Sequence, residues 1–151
     1  MKMEVEMRGF KELEKSLLQL ETKVAKKVVR QALRAGGKIL LKAVKQKVPV
    51  DTGELKKNIK VKAGKRKKGQ ASIFVGTSEK NYSGPYFYAS FVEYGHLQGS
   101  RNIAKANREF VAARPYMRPS FDLTKKAVEK EITTKLLEGI NREATIKPTT
   151  N

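Results

Sequence analysis

The 151-residue chain contains no cysteine and only one histidine, His96. Without cysteine it can form neither a disulfide nor a thiolate metal site, so the redox state of its compartment cannot be inferred. A single histidine argues against a zinc or iron centre. The sequence therefore predicts a protein with no metal and no cofactor.

Long apolar runs are also lacking. The first ten residues, MKMEVEMRGF, alternate apolar and charged types, which excludes the continuous apolar core of a signal peptide. No later run approaches the roughly 20 residues that a membrane-spanning helix needs. We therefore expect a soluble chain with no membrane partner, and a domain of about this length can bury a core without covalent cross-links.

Acidic residues are scarce in one region. Lys and Arg number 33 against 15 Asp and Glu, and no acid occurs between Thr22 and Val50. The cations of that stretch are Lys23, Lys26, Lys27, Arg30, Arg34, Lys38, Lys42, Lys45 and Lys47. A block this basic favours a polyanionic neighbour, either nucleic acid or an acidic protein surface, and a solvated Lys-rich surface is the plain alternative.

Helical spacing of apolar residues predicts two helical regions. The first runs from Phe10 to about Ala43, as one long helix or two consecutive ones, and must end before Pro49. Gly36-Gly37 within it predicts a kink, a break or a close helix crossing. The second runs from about Pro119 to Asn141, with an apolar face formed by Phe121, Val128, Ile132, Leu136 and Ile140.

Strand patterns complete an α+β prediction. Residues 1–8, 59–63 and 71–77 are expected to form strands, and the last two flank a hairpin tip with four adjacent cations, Lys65, Arg66, Lys67 and Lys68. We expect the N-terminal helix, kinked or split near Gly36-Gly37, and the C-terminal helix to pack on a small antiparallel sheet from which the basic hairpin projects. Residues 1–142 then form a single domain, followed by a flexible C-terminal tail at 143–151. The connection between Gly95 and Ala113 is long enough to be functional or partly disordered.

The triplet Asp51-Thr52-Gly53 also occurs at the active site of aspartic proteases. Such an enzyme needs two carboxylates that share a proton, which this chain would obtain only by dimerising. A helix start explains the triplet better, because Asp51 as N-cap places Glu54 at N3 of a capping box and pairs Val50 with Leu55 in a hydrophobic staple. Pro49, Asp51, Thr52, Gly53 and Glu54 are therefore predicted to form a turn and helix cap, and no catalytic residue is assigned.

Two further sets of charged residues are candidates for interactions. Glu93 lies in an aromatic segment, so we expect it to pair with Arg114 or Arg118, because a carboxylate on an apolar segment is costly unless compensated. His96 is interpreted as a loop residue rather than a general base. Lys65 to Lys68 are candidates for contact with DNA or with an acidic partner, without sequence-specific readout, since no P-loop or zinc-finger spacing is present.

Three stretches, in this order, resemble one family. VPVDTGELKKNI, YASFVEYG and ARPYMRPSFD are similar to the three ordered blocks of the gene-product-ten-like proteins of HK-type tailed phages, and to the tail-completion proteins of lambdoid long-tailed phages. With the flanking helices, the resemblance covers roughly residues 5 to 140. The chain departs from the usual pattern after Gly95, where His96 and a longer segment precede the third block.

The resemblance implies a non-enzymatic virion component, made in the cytoplasm of a bacterial host and located in the tail or neck. It implies a small α+β subunit of a ring, commonly of six copies, between the tail terminator or tail tube and the head connector. DNA passes through such a joint, so non-specific DNA contact is one expectation. The alternative from the residues alone is a basic nucleic-acid-binding protein with no virion role.

Overall fold

The computed structural model describes residues 11–18, 20, 22–64, 70–77, 88–98 and 109–146. Its elements are α1 (Lys11–Leu18), α2 (Thr22–Lys47), α3 (Glu54–Asn58), β1 (Lys60–Ala63), β2 (Ile73–Gly76), α4 (Ala89–Tyr94), β3 (His96–Gln98), β4 (Glu109–Val111) and α5 (Met117–Ile146). The predicted α+β class is confirmed. Within the described ranges, no helix is both long and apolar enough to cross a membrane.

Some predicted features fall outside those ranges. They are the strand at residues 1–8, the hairpin tip Lys65 to Lys68, and residues 99–108 of the long connection. At the base of the hairpin, the Gly64 N–H donates to the Ser72 carbonyl oxygen at 2.8 Å, as the predicted strand pairing requires. Of the tail predicted at residues 143–151, the structure describes residues 143–146, which form the end of α5. The other tail residues lie outside the described ranges.

The helix break lies earlier than predicted. Helix α1 ends at Leu18 and α2 begins at Thr22, whereas Gly36 and Gly37 lie inside a continuous α2. The break region, residues 19–21, contains neither Gly nor Pro, so no residue type marks it in the sequence. Of the alternatives at Gly36-Gly37, the close helix crossing is the one observed.

The chain forms two compact units, and the first comprises residues up to Ile39, residues 63–74 and residues from Lys126 onward. In it α2 packs against α5. A Cβ on Gly36 would lie 2.6 Å from Ile132 Cγ1, and one on Gly139 would lie 2.5 Å from Val28 Cγ1. Glycine at these positions allows the two helices to approach closely. The predicted apolar face of α5 supplies Val128, Ile132, Leu136 and Ile140 to the core.

The second unit comprises Leu40–Lys62 and Val75–Lys125. Strands β3 and β4 pair antiparallel in it, with His96 opposite Val111 and Leu97 opposite Phe110. The other two-stranded sheet is formed by β1 and β2. The buried side chains of this unit include Val44, Leu55, Ile59 and Tyr116.

The Gly36 crossing predicts an unusual sign for a helix mutation. We expect Gly36→Ala to destabilise the protein by about 1–2 kcal/mol, because overpacking against Ile132 outweighs the roughly 1 kcal/mol by which Ala is favoured over Gly in a helix. Urea unfolding followed by circular dichroism measures this. On the exposed face of α5, Ala127→Gly supplies the propensity effect alone.

A double-mutant cycle with Ile132→Ala tests the contact itself. The double variant should be less destabilised than the sum of the single variants, because Ile132→Ala removes the atom that the new methyl group meets. A stabilising effect of Gly36→Ala would show that the crossing has room for a side chain.

Candidate functional site

Three parts of the second unit surround one cavity of about 640 Å³. They are the turn Pro49–Gly53, helix α4 with the residues that flank it, and the segment Val111–Arg114. The turn belongs to the first sequence block and α4 to the second, and Arg114 is the cavity residue that belongs to the third. The blocks are far apart in sequence, so the fold brings them to a single place.

The turn on one side of the cavity leads directly into α3. This helix begins at Glu54, with Gly53 as its N-cap residue at φ 80°. The N-cap residue makes no side-chain hydrogen bond to the helix. The N–H of Glu54 donates instead to Thr52 Oγ1 at 3.4 Å. The positive φ of Gly53 cannot continue a helix, so α3 starts two residues later than a cap at Asp51 requires.

Glu54 also differs from its predicted role in a capping box. Its carboxylate does not reach back along the chain but accepts from Lys57 Nζ at 3.1 Å and from Asn58 Nδ2 at 3.4 Å. Asp51 is exposed, and Pro49 is half-buried. The turn thus exists where the sequence placed it, with glycine conformation and a threonine hydroxyl in the place of the aspartate cap.

Glu93, on α4, is a buried charge that is 6% exposed. Its Oε2 accepts hydrogen bonds from the backbone N–H groups of Tyr116 at 2.8 Å and Met117 at 2.9 Å, and its Oε1 accepts one from the Arg118 N–H at 3.2 Å. One side chain therefore satisfies three consecutive backbone donors. We call this arrangement the Glu93 clamp.

The clamp explains how α5 begins without a capping residue of its own. The first four N–H groups at a helix start have no partner inside the helix. At the start of α5, the N–H groups of Tyr116, Met117 and Arg118 donate to Glu93. The fourth position is Pro119, which has no N–H group and needs no acceptor. The carboxylate also lies at the positive end of the helix dipole, where negative charge is stabilised.

Glu93 is thus bound by the backbone N–H groups of residues 116–118 and not by the guanidinium groups of the nearby arginines. Among the described residues no salt bridge joins Glu93 to Arg114 or Arg118, and both arginines are exposed. Arg114 is held by its own backbone, since its N–H donates to the Val92 carbonyl oxygen at 2.7 Å. Helix α4 therefore contacts residues 114–118 as expected, but through hydrogen bonds to the backbone and not through an ion pair.

Tyr116 fixes the same junction from the other side. It is 3% exposed, and its hydroxyl donates to the Ala89 carbonyl oxygen at 3.4 Å. Burial, followed by the negative charge of Glu93, raises the pKa of Tyr116 to about 12. The phenol therefore stays neutral across the physiological range and acts as a buried anchor.

Gly95 ends α4 against the backbone of Val111 and Ala113, where the chain enters the third block. It has φ 73° and ψ 171°, and a Cβ there would lie 2.7 Å from the Val111 carbonyl oxygen and 3.0 Å from the Ala113 nitrogen. Only glycine fits both this backbone conformation and this spacing. His96 follows at the start of β3, rather than in a loop as predicted.

The His96 ring stacks on Phe91, with ring centroids 4.9 Å apart and an interplanar angle of 28°. Its Nδ1 is buried and has no hydrogen-bond partner within the described ranges. A stacked ring of this kind supports packing at the cavity wall. An orienting partner of the kind that positions a general base is not found for Nδ1 among the residues that the structure describes.

Exposed apolar side chains occur in the turn, helix and strands whose residues line the cavity. Val50 is 61% exposed, Tyr94 58%, Leu97 48% and Phe110 62%. Leu97 and Phe110 are paired across β3 and β4, and exposed apolar patches are typical of contact sites for other proteins. We refer to these four residues as the apolar rim.

Charged groups around the site do not form a metal centre. In the part of the chain that the structure describes, no cluster of three or more His, Asp or Glu side chains can hold a metal ion. The two charged residues that line the cavity are Asp51 and Arg114. The candidate cation contact at Lys65 to Lys68 lies outside the described residues.

The chain is thus a small, basic α+β protein with exposed apolar side chains in the elements that line the cavity and a buried carboxylate at the start of α5. The chain belongs to the HK97-gp10-like family, described as "Bacteriophage HK97-gp10, putative tail-component", whose family model matches residues 11–95, more than half of the chain. This match confirms the family resemblance and includes the first two sequence blocks, whereas the third, which starts at Ala113, lies beyond the matched residues. Neither a curated protein nor a solved structure matches the chain.

Sequence reasoning missed two functional features of this site. One is the role of Glu93 as a helix cap, for which the missing Ser, Thr, Asp or Asn before Met117 is the available signal. The other is the contact of Gly95 with the Val111–Ala113 backbone, for which a glycine directly after a short helix is too common a signal to be specific.

Proposed function

We propose that this tail-component protein completes the head-proximal end of a phage or prophage tail and joins it to the head. Membership of the tail-component family supports a place in the virion. The observation that carries the finer proposal is that the three blocks that resemble those of tail-completion proteins all contribute to one cavity, the third through Arg114, and that the apolar rim lies in the elements that line it. A surface that combines these blocks with exposed apolar groups suits a fixed contact with neighbouring virion proteins.

The proposed assembly is a homo-oligomeric ring, with six copies to match the sixfold tail. Its partners are the tail terminator or tail-tube protein on one side and the head connector on the other, and its role is structural rather than enzymatic. Light scattering during size exclusion tests the ring directly. We expect a mass of six times the 17.0 kDa chain, alone or after tail proteins are added.

Joining is tested in a lysate of the phage or prophage that encodes the chain, with its gene deleted. We expect separate heads and tails in electron micrographs, and restoration of joined particles when the purified protein is added. Intact particles in the deletion lysate would refute the proposal. A stable monomer that binds DNA and has no effect on joining would instead favour the nucleic-acid-binding alternative.

The apolar rim supplies a sharper variant. Val50→Ser combined with Phe110→Ser should lower the yield of joined particles at least about tenfold, because two apolar side chains that are both more than half exposed lose their contact area. Leu123→Ser is the matched control, since Leu123 is 72% exposed on α5 and is not part of the rim. Equal yields from both variants would show that the rim is not the contact surface.

A further inference from the structure

Helix α2 presents a row of cations opposite its buried face. We define the α2 cation face as Lys23, Lys26, Lys27, Arg30, Arg34 and Lys38, all of which are exposed and lie in the first unit. The opposite side of the same helix buries Val28, Ala32 and Gly36. Helical geometry thus sorts the sequence into one packed side and one cationic side.

No acid neutralises this face within the described residues. The salt bridges there are Lys57–Glu54, Lys135–Glu138 and Arg142–Glu143, and none includes a member of the α2 cation face. Like charges repeat four residues apart, for example Lys26–Arg30 and Arg30–Arg34, and each such pair weakens a helix by a few tenths of a kcal/mol. The row is therefore a cost to folding that no described contact offsets.

The chemistry of this face fits phosphate better than it fits a protein surface. Exposed positions of α2 carry Thr, Lys, Arg and Gln, and no exposed apolar or aromatic side chain. Protein interfaces are depleted in Lys and depend on buried aromatic or apolar anchors, which are missing here. A phosphate backbone needs only cations.

The spacing fits a duplex as well. Apart from the adjacent Lys26 and Lys27, successive cations along the row are three or four residues apart, or about 5–6 Å along the helix axis, and the six span about 22 Å. Duplex DNA carries one charge per roughly 1.7 Å of its axis, so each cation has a phosphate within reach. Lys and Arg without a set of Asn or Gln side chains for base edges predict backbone contact and no sequence readout.

We propose that the α2 cation face binds the phosphate backbone of double-stranded DNA without sequence preference. This inference goes beyond the proposed joining function and does not depend on it. Its test can fail while joining succeeds, and joining can fail while DNA is bound.

The test uses the full chain and two duplexes of unrelated sequence, with binding followed by fluorescence anisotropy at several salt concentrations. The triple variant Lys26→Gln/Arg30→Gln/Arg34→Gln should reduce affinity at least about tenfold and lower the log–log salt slope by roughly 2.7, since each phosphate contact contributes about 0.9. Gln is a good helix former, and circular dichroism verifies that the helix content is kept.

The matched control removes the same charge from an exposed part of α5. Lys125→Gln/Lys126→Gln/Lys130→Gln has the same net charge as the first triple, and all three lysines are exposed. We expect its affinity to fall less than about threefold and both duplexes to bind equally. Equal losses from the two triples would mean that net charge alone attracts DNA, and would overturn the proposal.

Two other polyanions distinguish alternative partners. Polyglutamate represents an acidic protein, and vesicles that contain phosphatidylserine represent a lipid surface. Binding of either probe more tightly than DNA, with loss of that binding in the α2 triple and unchanged DNA binding, would overturn the proposal in favour of that partner. Absence of DNA binding by the unaltered protein at moderate salt would overturn it directly.

Discussion

Replacing Glu93 with Gln is expected to destabilise the protein by about 3 kcal/mol and to lower its thermal midpoint by roughly 6–12 °C. The carboxylate accepts three backbone hydrogen bonds at the start of α5, whereas an amide offers one oxygen and places an N–H₂ group against the remaining donors. The charge that interacts with the helix dipole is also lost. Circular dichroism at 222 nm during heating measures the effect.

Glu138→Gln provides the matched control for this substitution. Glu138 is on α5 with its side chain 56% exposed, and its ion pair with Lys135 is a surface contact. Such pairs contribute little, so the control should stay within about 0.5 kcal/mol of the unaltered protein. An unchanged midpoint for Glu93→Gln would show that water or other groups replace the clamp at no cost.

Replacing Gly95 with Ala is expected to have a comparably large effect, about 3–5 kcal/mol or loss of folding. The backbone at φ 73° and ψ 171° is one that side-chain-bearing residues rarely adopt, which costs about 1–3 kcal/mol. The new methyl group would also meet the Val111 carbonyl oxygen at 2.7 Å and the Ala113 nitrogen at 3.0 Å. Backbone atoms cannot move aside as the end of a side chain does, so the Val111–Ala113 segment must shift.

Gly53→Ala separates the two contributions. Gly53 has φ 80° but no heavy atom within 4 Å of a Cβ, so only backbone strain of about 1 kcal/mol is expected. Urea unfolding of both variants gives the difference in stability, which should be at least about 2 kcal/mol. If the two variants were equally stable, the packing of Gly95 against the Val111–Ala113 backbone would contribute nothing. If Gly95→Ala does not fold at 25 °C, urea unfolding of both variants is measured at a lower temperature.

Much of the fold follows from local patterns in the sequence. Helical spacing found α2 and the buried face of α5, and the turn residues after Pro49 located the start of α3 to within two residues. These predictions succeed because apolar periodicity and the effect of proline depend only on residues that are close together in the sequence. The start of α5 at Met117 instead of Pro119 was missed, because the donors there are satisfied by a side chain from another element.

The candidate site is predictable in membership more than in geometry. The three blocks identified the family, and their convergence on one cavity required the structure. A buried carboxylate at Glu93 correctly indicated a compensating partner. Sequence alone favoured a charged side chain as that partner, because backbone N–H groups are present at every position and leave no compositional mark.

The Glu93 clamp couples two helices that are separate in the chain. Because α5 borrows its first acceptor from α4, any opening that removes α4 also exposes the amides of Tyr116, Met117 and Arg118 to solvent. These three amides should therefore exchange hydrogen for deuterium with one shared opening free energy, set by α4 rather than by fraying of α5. Hydrogen exchange at the start of α5 would therefore report whether α4 is in place.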